Sequence, residues 1–197
     1  MDKFLIRGPC KIKGEVFISG SKNAALPILA STLLFDKPVT INNLPRVRDI
    51  DTMLKLLKSL GSKIQLSKNK KSVKITKSKN QKVFASYSLV KTMRAGILVL
   101  GPLIAKHHMS ITSLPGGCLI GARPVNYHLN ALKKLGMEYK IKKGYIHANS
   151  KDKLKGTKIK FSNISVGATE NSIIASCLAK GTTILKNCAV EPEIKDL

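Results

Sequence analysis

Residues 21–66 read SKNAALPILASTLLFDKPVTINNLPRVRDIDTMLKLLKSLGSKIQL, and their pattern decides the fold. An apolar run at helical spacing (Ala24, Ala25, Ile28, Leu29, Leu33) leads to a short strand over 39–44. A second helix is predicted over 50–60, with Ile50, Met53, Leu54, Leu57 and Leu60 on one face and Gly61 marking its end. Alternating residues in 63–66 and 72–76 then read as a hairpin. The same order recurs twice. In 90–114 the run is Met93, Ile97, Leu98 and onward, and its strand ends at Leu114-Pro115, 70 residues after Leu44-Pro45. A helix over 125–135 closed by Gly136 follows, then a hairpin from 138–141 and 145–148. A third copy over 170–188 ends at Cys188, 74 residues after Leu114. The repeated unit is βαβαββ-like, so helices should bury themselves against sheets in an α/β (α+β) architecture. Residues 192–197 match the opening of the second helix, so the third unit is read as truncated.

With 197 residues, 43% of them hydrophobic, the chain is long enough to build a core and has neither a disordered nor a membrane composition. Its longest apolar stretch, 95–105, is interrupted by Gly101 and Pro102 and falls short of the ~20 residues that span a bilayer. Residues 1–14 lack the apolar core of a signal peptide. A soluble, cytoplasmic protein is expected. Cys10, Cys118, Cys177 and Cys188 have no paired spacing, so neither a disulfide framework nor a zinc site is suggested; Cys10, Cys177 and Cys188 are expected in the core. His107-His108, His128 and His147 offer no rival constellation, so no metal site is expected.

The 35 basic residues against 11 acidic ones give +24, and the basic set divides into 30 Lys and 5 Arg. Such a surface attracts polyanions, so nucleic acid has to be weighed first. The lysines are spread over hairpin tips and alternate strand positions (68–71, 77–82, 140–143, 151–160), a solvated surface rather than a reading head. Four Tyr, five Phe, no Trp and no reading motif argue further against a nucleic-acid binder. The scarcity of arginine makes Arg7, Arg46, Arg48, Arg94 and Arg123 stand out.

Four short motifs carry candidate chemistry. Ser21-Lys22-Asn23 enters a helix after Gly20, where a lysine and free backbone N–H groups suit an anion. The loop Leu114-Pro115-Gly116-Gly117-Cys118-Leu119-Ile120-Gly121-Ala122-Arg123-Pro124 presents a thiol and a guanidinium five residues apart. A nearby arginine lowers a thiol's pKa, so Cys118 could serve as an acid or as a nucleophile, and a packed cysteine is the plainer reading. Arg94 stands in the second repeat where Lys22-Asn23 stand in the first, and Ser165-Val166-Gly167-Ala168-Thr169 opens the third in the same way.

Residues 20–27, 89–95, 114–125 and 165–169 together resemble the UDP-N-acetylglucosamine 1-carboxyvinyltransferases, the MurA group of enolpyruvyl transferases. The resemblance covers the whole chain and about the N-terminal half of the family's length. It implies an inside-out α/β barrel of repeated βαβαββ units. Residues 1–20 would be a strand segment packing with a C-terminal domain absent from this sequence, and 21–197 a first domain incomplete at its C-terminus. It implies transfer of the enolpyruvyl group of phosphoenolpyruvate to the 3-hydroxyl of UDP-N-acetylglucosamine, the first committed step of peptidoglycan synthesis, without metal or organic cofactor. By the same resemblance Cys118 protonates the enolpyruvyl methylene and can form an adduct with phosphoenolpyruvate. Lys22, Asn23 and Arg123 hold phosphoenolpyruvate. Arg94, Arg123, Pro124, Val125, Asn126, Tyr127, Asn163, Ile164, Ser165, Val166 and Gly167 hold the sugar nucleotide. The chain departs from the family pattern at Asn126-Tyr127, where Asp-Leu is common, and at Asn163, where lysine is common. The family's general base and further phosphate-binding arginines lie in the other half, so little turnover is expected of this chain alone. Three readings compete with this one. The related synthase acting on shikimate 3-phosphate is disfavoured because it lacks an equivalent of Cys118; the remaining two are a decayed, non-catalytic fragment and a basic nucleic-acid binder.

Overall fold

The computed structural model describes residues 3–116 and 125–197. Helix α1 (Lys22–Ser31) starts at Ser21, whose hydroxyl accepts the Ala24 N–H at 3.3 Å. After a 3-10 turn (Thr32–Leu34) and β1 (Val39–Ile41) comes α2 (Arg48–Ser59), which buries Ile50, Met53, Leu54, Leu56 and Leu57 on one stripe. Asp49 and Asp51 in its first turn complement the helix dipole. The chain leaves α2 through Gly61 at φ +98°, where a side chain would press on the Asn80 carbonyl. β2 (Lys63–Leu66) and β3 (Val73–Thr76) then complete an antiparallel sheet in the order β1-β3-β2.

The second unit repeats this plan and adds a leading strand. β4 (Phe84–Ala85) and α3 (Tyr87–Val90) precede a 3-10 helix (Arg94–Val99), α4 (Leu100–His107), β5 (Met109–Ser113), α5 (Asn126–Lys134), β6 (Glu138–Lys142) and β7 (Tyr145–Asn149). The sheet order is β4-β5-β7-β6, so β5, β7 and β6 fall where β1, β3 and β2 fall in the first unit, with β4 parallel to β5. Lys143 and Gly144, both at positive φ, turn the β6–β7 hairpin in the two-residue loop that strand twist favours. The third unit holds β8 (Lys158–Lys160) parallel to β9 (Ile184–Lys186), α6 (Val166–Ser176) between them, and α7 (Pro192–Asp196) where the second helix was expected to open.

The helices gather inside and the sheets lie outside. α4 and α6 pack on each other, α1 on α2 and α5 on α6. Leu29, Leu33, Met53 and Leu57 sit in one core cluster, and Leu100, Ile104, Leu132 and Phe161 in a second. β3 and β7 each turn one face inward and one to solvent. The α/β class read from the repeat is the class that forms.

Two expectations need correction. The run after Met93 is not one α-helix: 94–99 is 3-10, and α4 begins at Leu100, which leaves Pro102 in the first turn, where its missing N–H costs nothing. Nor do all three cysteines lie in the core: Cys10 and Cys177 are exposed, whereas Cys188 is half-buried and packs against the second core cluster. Cys10 belongs to residues 3–19, which form neither helix nor strand, and Cys177 caps the C-terminus of α6, beyond its buried residues.

Candidate functional site

The start of α6 is built to leave backbone donors open. Ser165 is its N-cap, the hydroxyl accepting the Ala168 N–H at 3.4 Å and the carbonyl accepting the Thr169 hydroxyl at 2.9 Å. Gly167 follows because a Cβ there would stand 3.2 Å from the His128 ring of α5. Above this helix start opens a cleft of about 590 Å³. Ile164, Ser165, Val166, Gly167 and Glu170 form one wall, Arg94, Ala95, Ile97 and Leu98 of the 3-10 helix another, and Pro115, Val125, Tyr127 and His128 the third. A helix N-terminus, an arginine and an aromatic ring around one cavity suit an anionic ligand that carries a planar group.

Asn171 ties these walls together. Its Oδ1 accepts the Gly101 N–H at 2.8 Å, which fixes the amide orientation and leaves Nδ2 to donate to the Ile97 carbonyl and to His128 Nδ1, each at 3.2 Å. His128 Nδ1 is therefore an acceptor, and the ring carries its proton on Nε2. Burial pulls the pKa of His128 down to about 4, with the charge of Arg94 adding to the effect, so the ring is neutral at physiological pH. A side chain at Gly101 would strike Asn171 Oδ1, so α4 and α6 meet there with nothing between them. Glu170, one position earlier on α6, is 5% exposed. Burial first, then the charges of Glu193 and Glu191, push its pKa up to about 7.

The structure brings Arg94, Val125, Tyr127, Ile164, Ser165, Val166 and Gly167 around one cavity. Asn163 joins them at the rim, its Nδ2 donating to Tyr127 Oη at 2.8 Å, and Asn126 accepts the Tyr127 N–H on its own side chain at 3.1 Å. Lys22 and Asn23 lie at the exposed start of α1, outside the lining of this cleft. The Lys22 ammonium is 3.2 Å from Asp49 of α2. Cys118, Arg123 and Pro124 lie outside the described residues. Among the described residues no three His, Cys, Asp or Glu side chains gather to hold a metal ion, and no helix is long and apolar enough to cross a membrane.

Sequence reasoning missed His128, Glu170 and Asn171. One pattern could have found the last two: Thr169-Glu170-Asn171-Ser172 puts four polar residues in succession inside a helix flanked by Ala168 and Ile173, and all four are buried. Buried polar runs need partners, so such a run marks a network or a site.

A family model described as EPSP synthase (3-phosphoshikimate 1-carboxyvinyltransferase) matches residues 6–197. UDP-N-acetylglucosamine 1-carboxyvinyltransferase of Pelagibacter ubique is 63% identical over the whole of this chain and 47% of its own length. The protein of the same name from Acinetobacter baylyi is 52% identical, again over all of this chain and 47% of its own length. The chain thus spans about half the length of the curated relatives it matches. Among solved structures, the enolpyruvyl transferase NikO from Streptomyces tendae overlays with a TM-score of 0.78 at 16% identity, covering 90% of this chain and 41% of that one. EPSP synthase from Acinetobacter baumannii does so with a TM-score of 0.70 at 16% identity, covering 92% and 42%.

Proposed function

This chain belongs to the EPSP synthase (3-phosphoshikimate 1-carboxyvinyltransferase) family, and from that membership we propose that it forms the nucleotide-holding lobe of a UDP-N-acetylglucosamine 1-carboxyvinyltransferase. The observation that carries the reading is the cleft at the start of α6, where a capped helix N-terminus, Arg94, Tyr127 and a glycine that admits close approach face one cavity. That arrangement suits a diphosphate bearing a planar base. Relatives at 52–63% identity carry the sugar-nucleotide name, whereas the solved shikimate-pathway enzyme stands at 16% identity, which favours UDP-N-acetylglucosamine over shikimate 3-phosphate as acceptor.

In this reading Arg94, Arg123–Tyr127 and Asn163–Gly167 orient the sugar nucleotide. Lys22, Asn23 and Arg123 neutralise the phosphate and carboxylate of phosphoenolpyruvate. The sugar 3-hydroxyl, its proton passing to the general base that the family carries in its other half, adds to C2 of phosphoenolpyruvate while the Cys118 thiol gives its proton to C3. Loss of phosphate, with a C3 proton returning to the Cys118 thiolate, leaves the enolpyruvyl ether. Lys22 reaches phosphoenolpyruvate by exchanging Asp49 for the incoming anion. Residues 1–20, where Phe4, Ile6, Ile12, Phe17 and Ile18 are almost wholly exposed, pack against a second lobe that completes the site. The activity places the protein in the cytoplasm, at the start of cell-wall synthesis.

Fosfomycin labelling read by intact mass tests the reading. A single adduct on Cys118, formed several-fold faster with UDP-N-acetylglucosamine present, is the expected result. No adduct with or without nucleotide overturns it in favour of a non-catalytic fragment.

A further inference from the structure

Three of the chain's five glutamates, Glu170, Glu191 and Glu193, converge where α6 faces α7, in a protein with only 11 acidic residues. Glu170 lines the cleft wall, is 5% exposed, and makes no hydrogen bond or ion pair among the described residues. Glu191 buries one carboxylate oxygen, Oε2, with no partner there either. An ionised carboxylate in such a place, with two more acids beside it and no cation on it, is costly, and the group sheds that cost by keeping its proton. A buried carboxylic acid then needs an acceptor for its O–H, and the cavity is the open direction.

We propose that Glu170 is a further ligand-binding residue of this cleft, a neutral acid whose O–H donates to an acceptor oxygen of the sugar nucleotide. The inference rests on the functional reading above and adds to it a polar contact that the motif residues do not supply. It also sets the charge the cleft accepts. With Glu170 protonated, a diphosphate meets a donor; with Glu170 ionised, it meets a like charge at short range. Nucleotide binding above the midpoint of the free acid therefore draws one proton from the buffer onto Glu170.

The ionisable groups around Glu170 agree with this assignment. Glu191 and Glu193 from the α7 side raise its pKa, burial being the larger cause, to about 7. Across the cleft stand Arg94 of the 3-10 helix and His128 of α5, and the latter, at about 4, stays neutral between pH 6 and 8. α1 and α4, also packed on α6, add no ionisable side chain to the described lining.

The test is calorimetric titration of the 197-residue chain with UDP-N-acetylglucosamine at pH 6, 7 and 8, in two buffers of different ionisation heat. The diphosphate diester keeps its charge across that range, so proton uptake reports on the protein. The expected result is close to one proton taken up per nucleotide at pH 8, little at pH 6, and affinity about tenfold weaker at pH 8 than at pH 6. Glu170→Gln keeps a donor without a titrating proton and should bind with no pH dependence. Glu193→Gln should leave binding at pH 6 unchanged and move the midpoint to lower pH. Nucleotide binding by the unaltered chain without proton uptake, or an unchanged pH dependence in a folded Glu170→Gln variant, overturns the assignment of Glu170 and leaves the proposed function standing. Failure of the folded chain to bind the nucleotide at any of the three pH values overturns both.

Discussion

Tyr127 and Asn163 are two of the positions where the chain leaves its family's sequence pattern, and the fold brings them together, Asn163 Nδ2 donating to Tyr127 Oη at 2.8 Å across the rim of the cleft. Where the family commonly places a lysine, the amide here is spent on holding a ring, so the rim relies on orientation rather than charge. Tyr127→Phe keeps the ring and removes the acceptor. A neutral hydrogen bond of this kind stabilises the fold by roughly 0.5–1.5 kcal/mol, so the variant should unfold more easily by about that amount and, its ring no longer held for the ligand, bind UDP-N-acetylglucosamine up to about tenfold more weakly. Equal affinity in calorimetry would show that Asn163 has no part in setting the ring. At this scale the sequence was partly legible. Both residues could be flagged as departures, but nothing in their spacing says that residues 36 positions apart are bonded. Lys22 shows the same limit, since its ion pair with Asp49 joins the starts of two helices that only the fold brings side by side.

Elements announced themselves in proportion to how unevenly they are buried. α2 and α5 carry an apolar stripe and end at glycines with positive φ, Gly61 and Gly136, so 3.6-residue periodicity and stop residues located them. The hairpins alternate and were legible for the same reason. β4 and β8 span only two and three residues, too few to show a period, and they become strands by pairing parallel to β5 and β9. α6 is buried nearly all round, so its sequence shows no stripe and its polar members read as surface. Those members hold the helices together. Asn171→Ala removes the partners of the Gly101 N–H and His128 Nδ1 and one of the two donors to the Ile97 carbonyl, which keeps the Leu100 N–H, inside the α4–α6 contact. Stranding buried polar groups should lower stability by roughly 2–4 kcal/mol in urea unfolding. A loss under about 1 kcal/mol would mean that water takes over all three contacts and that the Asn171 hub does not organise the cleft.

For the molecule as a whole, 35 basic residues face 11 acidic ones, so at least 24 positive charges have no acidic residue to pair with one-to-one. The ion pairs among the described residues are Lys22–Asp49, Lys77–Asp36 and Lys106–Asp36. Asp36 serves two lysines, which hold its carboxyl down at about 2, but it is exposed, and exposed pairs contribute little. Salt acts on two opposing effects. It weakens these few short contacts, and it screens the repulsion among many lysines that folding brings closer together than they are in the unfolded chain. Repulsion is the larger because it sums over many charges at separations comparable with the ~10 Å Debye length of 0.1 M salt, whereas the pairs number three and lie at contact distance, where screening is weakest. Raising sodium chloride from about 20 to 300 mM should therefore raise the thermal midpoint by several degrees, the size of shift that ~1 kcal/mol produces in a domain of this length. The same increase should strip any polyanion held by diffuse attraction from the lysine surface. A midpoint that stays level or falls with salt would place the lysines in local pairs and networks instead, and the diffuse reading of the basic surface would have to be abandoned.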